Sequence, residues 1–187
     1  MDSDPSPGKK KMSASRSEQT SLVFANIKNS AHHAISQLKH IPNIESITPV
    51  TGRFDLVIKL KTNDPEKAFN TIEKIREIED VTHTQTAFSM HQISNSSSRE
   101  QEREQPIAFA LMKVRGALNE ALQKLKTITN CVEAHVIPGE FDLIASFRGR
   151  DPQEVLENSL PKIGNIHGIT SSETLVAWNP PATEIRP

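Results

Sequence analysis

The chain has 187 residues, of which 35% are hydrophobic and 24% are charged, and its formal net charge is −1. This length accommodates one medium domain or two small ones, and the balanced charge argues against non-specific binding to nucleic acid. The single cysteine, Cys131, excludes an internal disulfide; without a secretory signal or an apolar run of about 18 residues, we predict a cytoplasmic protein with no membrane segment.

Three polar stretches divide the chain. Residues 1–20 consist mainly of Ser, Lys, Pro and Asp, so they bury too little apolar surface to offset their ordering entropy and are predicted to form a disordered tail. A second polar stretch, 93–105, is predicted to be a flexible linker, and the proline-rich residues 179–187 to be a C-terminal tail. Two apolar-patterned segments remain, 21–92 and 106–178, here called repeat 1 and repeat 2.

The predicted elements follow the same order in both repeats. Repeat 1 begins with a strand (21–28), followed by an amphipathic helix, a short strand, the turn GRFDL, a third strand, a second helix and a closing strand (83–90). The second helix starts at Asp64-Pro65 in repeat 1 and at Asp151-Pro152 in repeat 2, where Asp is a good N-cap and Pro a good first residue. Pro161 is expected to shorten or kink the second copy. The order βαββαβ predicts two ferredoxin-like repeats of the α+β class.

Strand alternation predicts which side chains face the helices. In the third strand, Phe54 shares a face with Leu56, and Asp55 lies on the opposite face. We therefore expect Phe54, and its counterpart Phe141 in the turn GEFDL, to belong to the helix-covered core. The aspartates are then expected to point toward the uncovered face of each sheet.

The first strand of each repeat is apolar on both faces. Leu22 and Phe24 alternate with Val23 and Ala25, and the strand that starts at Ile107 shows the same pattern. A half-exposed antiparallel strand would be polar on its wet face, so a second layer must cover these sheets. The other repeat is the simplest cover, and we predict a pseudo-dimer in which the two sheets pack face to face.

No motif for metal, nucleotide or covalent catalysis is present, and we predict a protein that is not an enzyme and needs no metal or cofactor. What recurs is a polar set, consisting of the Gly-x-x-Asp turn and hydroxyl side chains on the closing strand. Such a set could hold a zwitterion through carboxylate, hydroxyl and backbone N–H groups. The alternative is purely structural, because Asp often caps a turn and Thr is common in strands.

Together, the element order, the Gly-x-Phe-Asp-Leu turn, the Asp-Pro helix start and the Thr-rich closing strand resemble the ligand-binding domain of the Lrp/AsnC regulators. The resemblance implies an α/β sandwich that dimerises through its sheets, assembles further, and holds amino-acid effectors near the turns. By position it implicates ten residues in ligand binding: Gly52, Arg53, Asp55, Thr84, Thr86, Gly139, Glu140, Asp142, Ser172 and Thr174. Since Arg53 and Glu140 differ in charge, the two sites are not expected to be equivalent.

Regulators of that family carry an N-terminal helix-turn-helix domain, whereas a polar tail precedes repeat 1, so direct binding to nucleic acid is not expected. The leading hypothesis is a stand-alone effector-binding and oligomerisation module. It would bind an amino acid or similar metabolite, associate with itself or with Lrp/AsnC-type relatives, and so modulate transcription regulators. The alternatives are a ligand-free oligomerisation scaffold and, ranked last, a small dimeric α+β-barrel enzyme.

Overall fold

A computed structural model describes residues 18–95 and 106–178. The predicted C-terminal tail, most of the predicted linker and residues 1–17 of the predicted N-terminal tail lie outside the described residues. The boundaries proposed for the tails, linker and repeats therefore stay predictions. Among residues 18–95 and 106–178, no helix has the length and apolar character needed to cross a membrane.

The elements of repeat 1 are β1 (Gln19–Ile27), α1 (Ala31–Leu38), β2 (Ile44–Thr51), β3 (Leu56–Thr62), α2 (Pro65–Arg76), β4 (Val81–Phe88) and β5 (His91–Ser94). The first four strands form an antiparallel sheet in the order β4-β1-β3-β2. The second helix begins as predicted, because Pro65 is its first residue and the Glu66 N–H donates to Asp64 Oδ1 at 2.9 Å. The short strand β5 was not predicted.

The elements of repeat 2 are β6 (Ala108–Val114), α3 (Leu118–Lys126), β7 (Cys131–Val136), β8 (Leu143–Phe147), α4 (Pro152–Asn158), α5 (Leu160–Ile163) and β9 (Ile169–Ala177). The four strands form the equivalent sheet in the order β9-β6-β8-β7. The second helix is divided, as Pro161 predicted: one helix ends at Asn158, and a single further turn begins at Leu160.

The two sheets are joined at both edges. Strand β2 pairs with β9, and β5 pairs with β7, so the nine strands of the described ranges follow each other in the order β4-β1-β3-β2-β9-β6-β8-β7-β5. The Trp178 N–H donates to the Pro49 carbonyl at 3.2 Å, and at the equivalent place the Met90 N–H donates to the Val136 carbonyl at 2.9 Å. These matched bonds relate the repeats by a pseudo-two-fold axis and confirm the predicted pseudo-dimer.

Within the part of the chain that the structure describes, three apolar clusters form the interior. Each repeat has one between its helices and its sheet, and the third lies between the two sheets. Leu22 and Phe24 of β1 belong to the cluster between the sheets, whereas Val23 and Ala25 belong to the helix-covered cluster. The first strands are therefore buried on both faces, which explains their two-sided apolar pattern.

The predicted position of the two turn phenylalanines is wrong. Phe54 and Phe141 lie in the cluster between the sheets, and the Phe54 ring centroid is 5.1 Å from that of Phe24. The reason is that β3 begins only at Leu56 and β8 at Leu143, so the strand alternation does not extend back through the turn. Phe54 and Phe141 thus anchor one repeat on the other.

Candidate ligand site at the paired turns

The aspartate of each turn is bound to the end of the first strand. The Ile27 N–H donates to Asp55 Oδ2 at 2.8 Å, and the Val114 N–H donates to Asp142 Oδ2 at the same distance. The backbone of Asp55 also donates to the Ala25 carbonyl and accepts from the Val50 N–H. The expectation that these carboxylates point toward the open face of the sheet is wrong, because each one satisfies a backbone donor at a strand end.

The residues that follow the two turn glycines meet each other. Arg53 and Glu140, 87 positions apart, form a two-pronged ion pair with N–O distances of 2.7 and 3.0 Å. The Arg53 guanidinium also lies 3.5 Å from Glu173 Oε2, and its carbon is 5.1 and 5.6 Å from the ring centroids of Phe54 and Phe141. Arg53 is thus held between two aromatic rings and two carboxylates.

The electrostatics of this cluster favour the charged forms. The hydrogen bond from Arg53 lowers the pKa of Glu140 most, and the positive charges of Arg53 and Lys113 lower it further. The hydrogen bond to Glu140 in turn raises the pKa of Arg53. The Lys113 ammonium is 6.0 Å from the Phe141 ring centroid. Arg53 and Glu140 therefore keep opposite charges at neutral pH and are partly exposed where the two repeats meet.

The hydroxyl residues of the closing strands lie on the other face of each sheet. Ala87 and Leu175 belong to the cluster between the sheets, so Gln85 and Glu173 share that side by alternation. The remaining four predicted residues, Thr84, Thr86, Ser172 and Thr174, therefore face the helices, and Thr84 Oγ1 accepts from Arg76 Nε at 3.0 Å. The structure brings Arg53 and Glu140 together but separates them from these hydroxyls.

Gln85, Glu173 and Lys113 were not among the ten residues that the family resemblance implicated. A hydrogen bond with Gln85 is among the contacts that lower the pKa of Glu140, and Glu173 contacts Arg53. Ala87 follows Gln85 by two positions, and Leu175 follows Glu173 by two, so each pair shares one face of its strand. Because Ala87 and Leu175 lie on the face that packs on the other repeat, this spacing could have indicated Gln85 and Glu173. Only the packing of the two sheets brings these polar side chains close to the turns.

The two turns differ in the space around their glycines. A Cβ at Gly52 would lie 2.9 Å from Leu175 Cδ2, whereas a Cβ at Gly139 would have no neighbour within 4 Å. The residue equivalent to Leu175 is Ala87, since Leu175 pairs with Phe109 as Ala87 pairs with Leu22. The turn of repeat 1 is therefore closed by a leucine, and the turn of repeat 2 is open.

This difference predicts unequal costs for alanine. Both glycines have positive φ angles, +130° and +142°, so Gly52→Ala and Gly139→Ala should each destabilise by about 1 kcal/mol or more through backbone strain. Gly52→Ala should cost roughly a further 1 kcal/mol because the new Cβ meets buried Leu175. Urea unfolding measures both costs, and Leu175→Ala should remove the difference. Equal costs in the wild-type background would contradict this steric explanation.

A second polar cluster crosses between the sheets. The Lys59 ammonium contacts both carboxylate oxygens of Glu133 at 2.8 Å, and His135 Nε2 lies 3.6 Å from Glu133 Oε2. His135 is 2% exposed, and its Nδ1 is 2.9 Å from Ser89 Oγ. Burial opposes ionisation of Glu133, but the His135 contact and the Lys59 charge outweigh it and lower the pKa of Glu133 to about 2.

The described residues form no metal-binding cluster and contain no reactive cysteine thiol. Among residues 18–95 and 106–178, no group of three or more His, Cys, Asp or Glu side chains is arranged to hold a metal ion. Burial raises the pKa of Cys131 to about 12, so its thiol stays protonated and unreactive at neutral pH.

One family model matches both repeats of the chain. The family model described as Lrp/AsnC ligand binding domain matches residues 17–98 and again 107–184. Over 71 residues the chain is 31% identical to the HTH-type transcriptional regulator FL11 of Pyrococcus furiosus, a match that covers 37% of this chain. The match spans 46% of that relative, so the chain corresponds to about half of its length.

Two solved structures share the fold over most of the chain. The siroheme decarboxylase NirDL aligns with a TM-score of 0.63 at 10% identity, covering 87% of this chain and 72% of that one. A mutant chlorite dismutase from Candidatus Nitrospira defluvii aligns with a TM-score of 0.57 at 11% identity, covering 87% and 91%. At these identities the likeness shows the fold alone.

These neighbours contradict the prediction that the chain is not an enzyme. That prediction depended on the absence of catalytic motifs from the sequence. A decarboxylase and a dismutase built on the same fold show that this architecture supports catalysis. The missing motifs therefore do not exclude an enzymatic role.

Proposed function

The chain belongs to the Lrp/AsnC ligand-binding-domain family, and from this premise we propose that it binds one zwitterionic metabolite, such as an amino acid, at the turn of repeat 2. Binding would then control association with further copies or with Lrp/AsnC-type regulators. In this proposal, 21–92 and 106–178 are two copies of the binding domain. The observation that carries the proposal is the partly exposed Arg53–Glu140 pair beside the open Gly139 turn.

Opposite charges lie close enough to serve both ends of a zwitterion. Arg53 and Lys113 offer cations to a carboxylate, and Glu140 and Glu173 offer carboxylates to an ammonium group. The Arg53 and Glu140 side chains are 39% and 40% exposed, so a ligand can reach both groups from solvent. Gln85, which interacts with Glu140, adds a neutral hydrogen-bonding group.

The space around the two turn glycines favours a single ligand site, at the turn of repeat 2. Gly139 allows a ligand to approach the backbone, whereas Leu175 occupies the equivalent space at Gly52. Of the residues that the family resemblance implicates, Arg53, Gly139 and Glu140 would contact the ligand. Asp55 and Asp142 would instead hold the turns in shape through their bonds to Ile27 and Val114.

Calorimetric titration with each of the twenty L-amino acids tests the proposal. We expect at least one to bind with a stoichiometry near one per chain. Glu140→Gln should weaken binding by about tenfold or more, because it removes a charged partner of the ammonium group. Glu79→Gln is the matched control, since Glu79 is exposed and lies 4.0 Å from Lys28, and it should leave affinity unchanged.

Different results of the titration would contradict different parts of the proposal. No heat with any amino acid would overturn amino-acid binding and favour the ligand-free oligomerisation scaffold if the chain self-associates. A stoichiometry of two would keep ligand binding but contradict the single open site. Ala87→Leu copies the leucine that closes the repeat 1 turn, and it should reduce binding if Gly139 marks the site.

A further inference from the structure

Equivalent positions of the two repeats carry opposite charges and contact each other. Arg53 and Glu140 each follow the turn glycine, and their side chains form a two-pronged ion pair near the pseudo-two-fold axis. In a symmetric pair of identical domains, a position on the axis meets its own copy, so it faces a like charge whenever it is charged. Only two different repeats can place an arginine and a glutamate at this position.

The second ion pair between the sheets is present on one side only. Lys59 of repeat 1 contacts Glu133 of repeat 2, with both side chains 18% exposed. The residue equivalent to Lys59 is Ser146, because Lys59 pairs with Leu22 as Ser146 pairs with Phe109. The residue equivalent to Glu133 is Ser46, which pairs with Lys59 as Glu133 pairs with Ser146. The symmetry-related place therefore holds two serines.

These ion pairs between the repeats all have the same polarity. Arg53–Glu140, Arg53–Glu173 and Lys59–Glu133 all join a cation of repeat 1 to a carboxylate of repeat 2. Glu45, which contacts Lys59 and Lys61, and Lys113, which lies near Glu140, carry the opposite sign on each repeat. They belong to the same repeat as the groups they neutralise, so they are present in any pairing and do not discriminate between pairings.

We propose that these complementary charges make repeat 1 pair with repeat 2 and reject the pairing of like repeats. Two copies of repeat 1 would place Arg53 against Arg53 and Lys59 against Ser46. Two copies of repeat 2 would place Glu140 against Glu140 and Glu133 against Ser146. Both arrangements lose the attractive contacts, and each brings like charges together on the axis. The partner that fits the sheet of repeat 1 is therefore a repeat 2, from the same chain or from a second copy.

Disulfide trapping in the full chain tests which repeats pair. Thr51 and Val176 are direct partners across β2 and β9, so the variant T51C/V176C should oxidise to a cross-link between positions 51 and 176. Phe88 is the repeat 1 equivalent of Val176, because Met90 and Trp178 make matched backbone bonds. T51C/F88C is thus the matched control, and it should give no covalent dimer. A covalent dimer linked between 51 and 88 would overturn the proposal.

Charge-reversal variants test whether the opposite charges make repeat 1 pair with repeat 2. Arg53→Glu and Glu140→Arg should each raise the unfolding equilibrium constant by about tenfold or more, because each replaces an attraction with a repulsion. The double variant R53E/E140R should recover most of that loss, although the carboxylate introduced at position 53 then faces Glu173. Lys28→Glu, which reverses one member of an exposed ion pair within repeat 1, is the control and should have little effect. Additive losses in the double variant would overturn the proposal.

A charge-neutralising variant still tests the proposal if the charge-reversal variants fail to fold. Arg53→Gln removes the attraction without adding repulsion, so it should still reduce the yield of the 51–176 cross-link, or its rate of formation, in the T51C/V176C background. Adding salt should weaken wild-type cross-linking toward the Arg53→Gln value because the pair is partly exposed. Equal, salt-independent cross-linking in both chains would show that these charges play no part in pairing.

Discussion

Replacing Lys59 with methionine is expected to lower the free energy of unfolding by about 3 kcal/mol. Lys59 contacts both oxygens of Glu133 at 2.8 Å in a place where both side chains are only 18% exposed. Without the ammonium group, the carboxylate stays in a poorly hydrated space, with the His135 ring 3.6 Å away. Removing one member of such a pair costs more than the pair itself contributes, because a buried charge is left uncompensated.

Matched variants separate this effect from a general loss of charge. Lys61→Met removes an ammonium that is 40% exposed and contacts Glu45, and it should cost below about 1 kcal/mol. The double variant K59M/E133M should recover most of the stability, since both polar groups are replaced by apolar ones. Urea unfolding at neutral pH measures all three. A Lys59→Met cost no larger than that of Lys61→Met would contradict the buried pair.

The same carboxylate predicts loss of stability in acid. The pKa of Glu133 is about 2 in the folded chain and about 4.5 in the unfolded chain. A group with a lowered folded pKa stabilises the protein fully above its unfolded pKa, and this contribution disappears as the pH falls through the folded value. Stability should therefore fall by up to about 3 kcal/mol between about pH 4.5 and about pH 2. Lys59→Met should shrink this fall in urea unfolding measured across the same range.

Replacing Asp142 with alanine should cost about 2 kcal/mol, the next largest effect we expect. Asp142 Oδ2 accepts the Val114 N–H at 2.8 Å, and the loss of this acceptor leaves a backbone donor unpaired at the end of β6. Asp142→Asn keeps an acceptor oxygen without the charge, so it should cost roughly half as much. Urea unfolding distinguishes the two, and Glu79→Ala at an exposed side chain is the neutral control.

This result decides how ligand-binding data should be interpreted. If Asp142 only shapes the turn, Asp142→Asn should retain the ligand affinity of the wild type while Asp142→Ala loses both stability and affinity. If Asp142 contacts the ligand ammonium directly, Asp142→Asn should lose affinity with little loss of stability. Calorimetry on the same protein samples therefore distinguishes a structural aspartate from a binding one.

Family membership and fold were accessible from the sequence, but the candidate site was accessible only in part. The Gly-x-Phe-Asp turn drew attention to Arg53 and Glu140, which do meet. The same reasoning grouped them with Thr84 and Thr86, which lie across the sheet, facing the helices. The grouping was made by position on the closing strand, where neighbouring side chains alternate between the two faces of the sheet, so the residues on either side of Gln85 point away from the turns.

Local spacing by itself determined the repeat, the element order, the caps at Asp64 and Asp151, the break at Pro161 and the two buried faces of β1 and β6. These features depend on residues within a few positions of each other, where helix and strand periods dictate which side is apolar. The tertiary structure alone decided that Arg53 meets Glu140, that Lys59 meets Glu133 and that Leu175 closes one turn while the other stays open. Such contacts join residues more than seventy positions apart, and only the packing of one sheet on the other brings them within bonding distance.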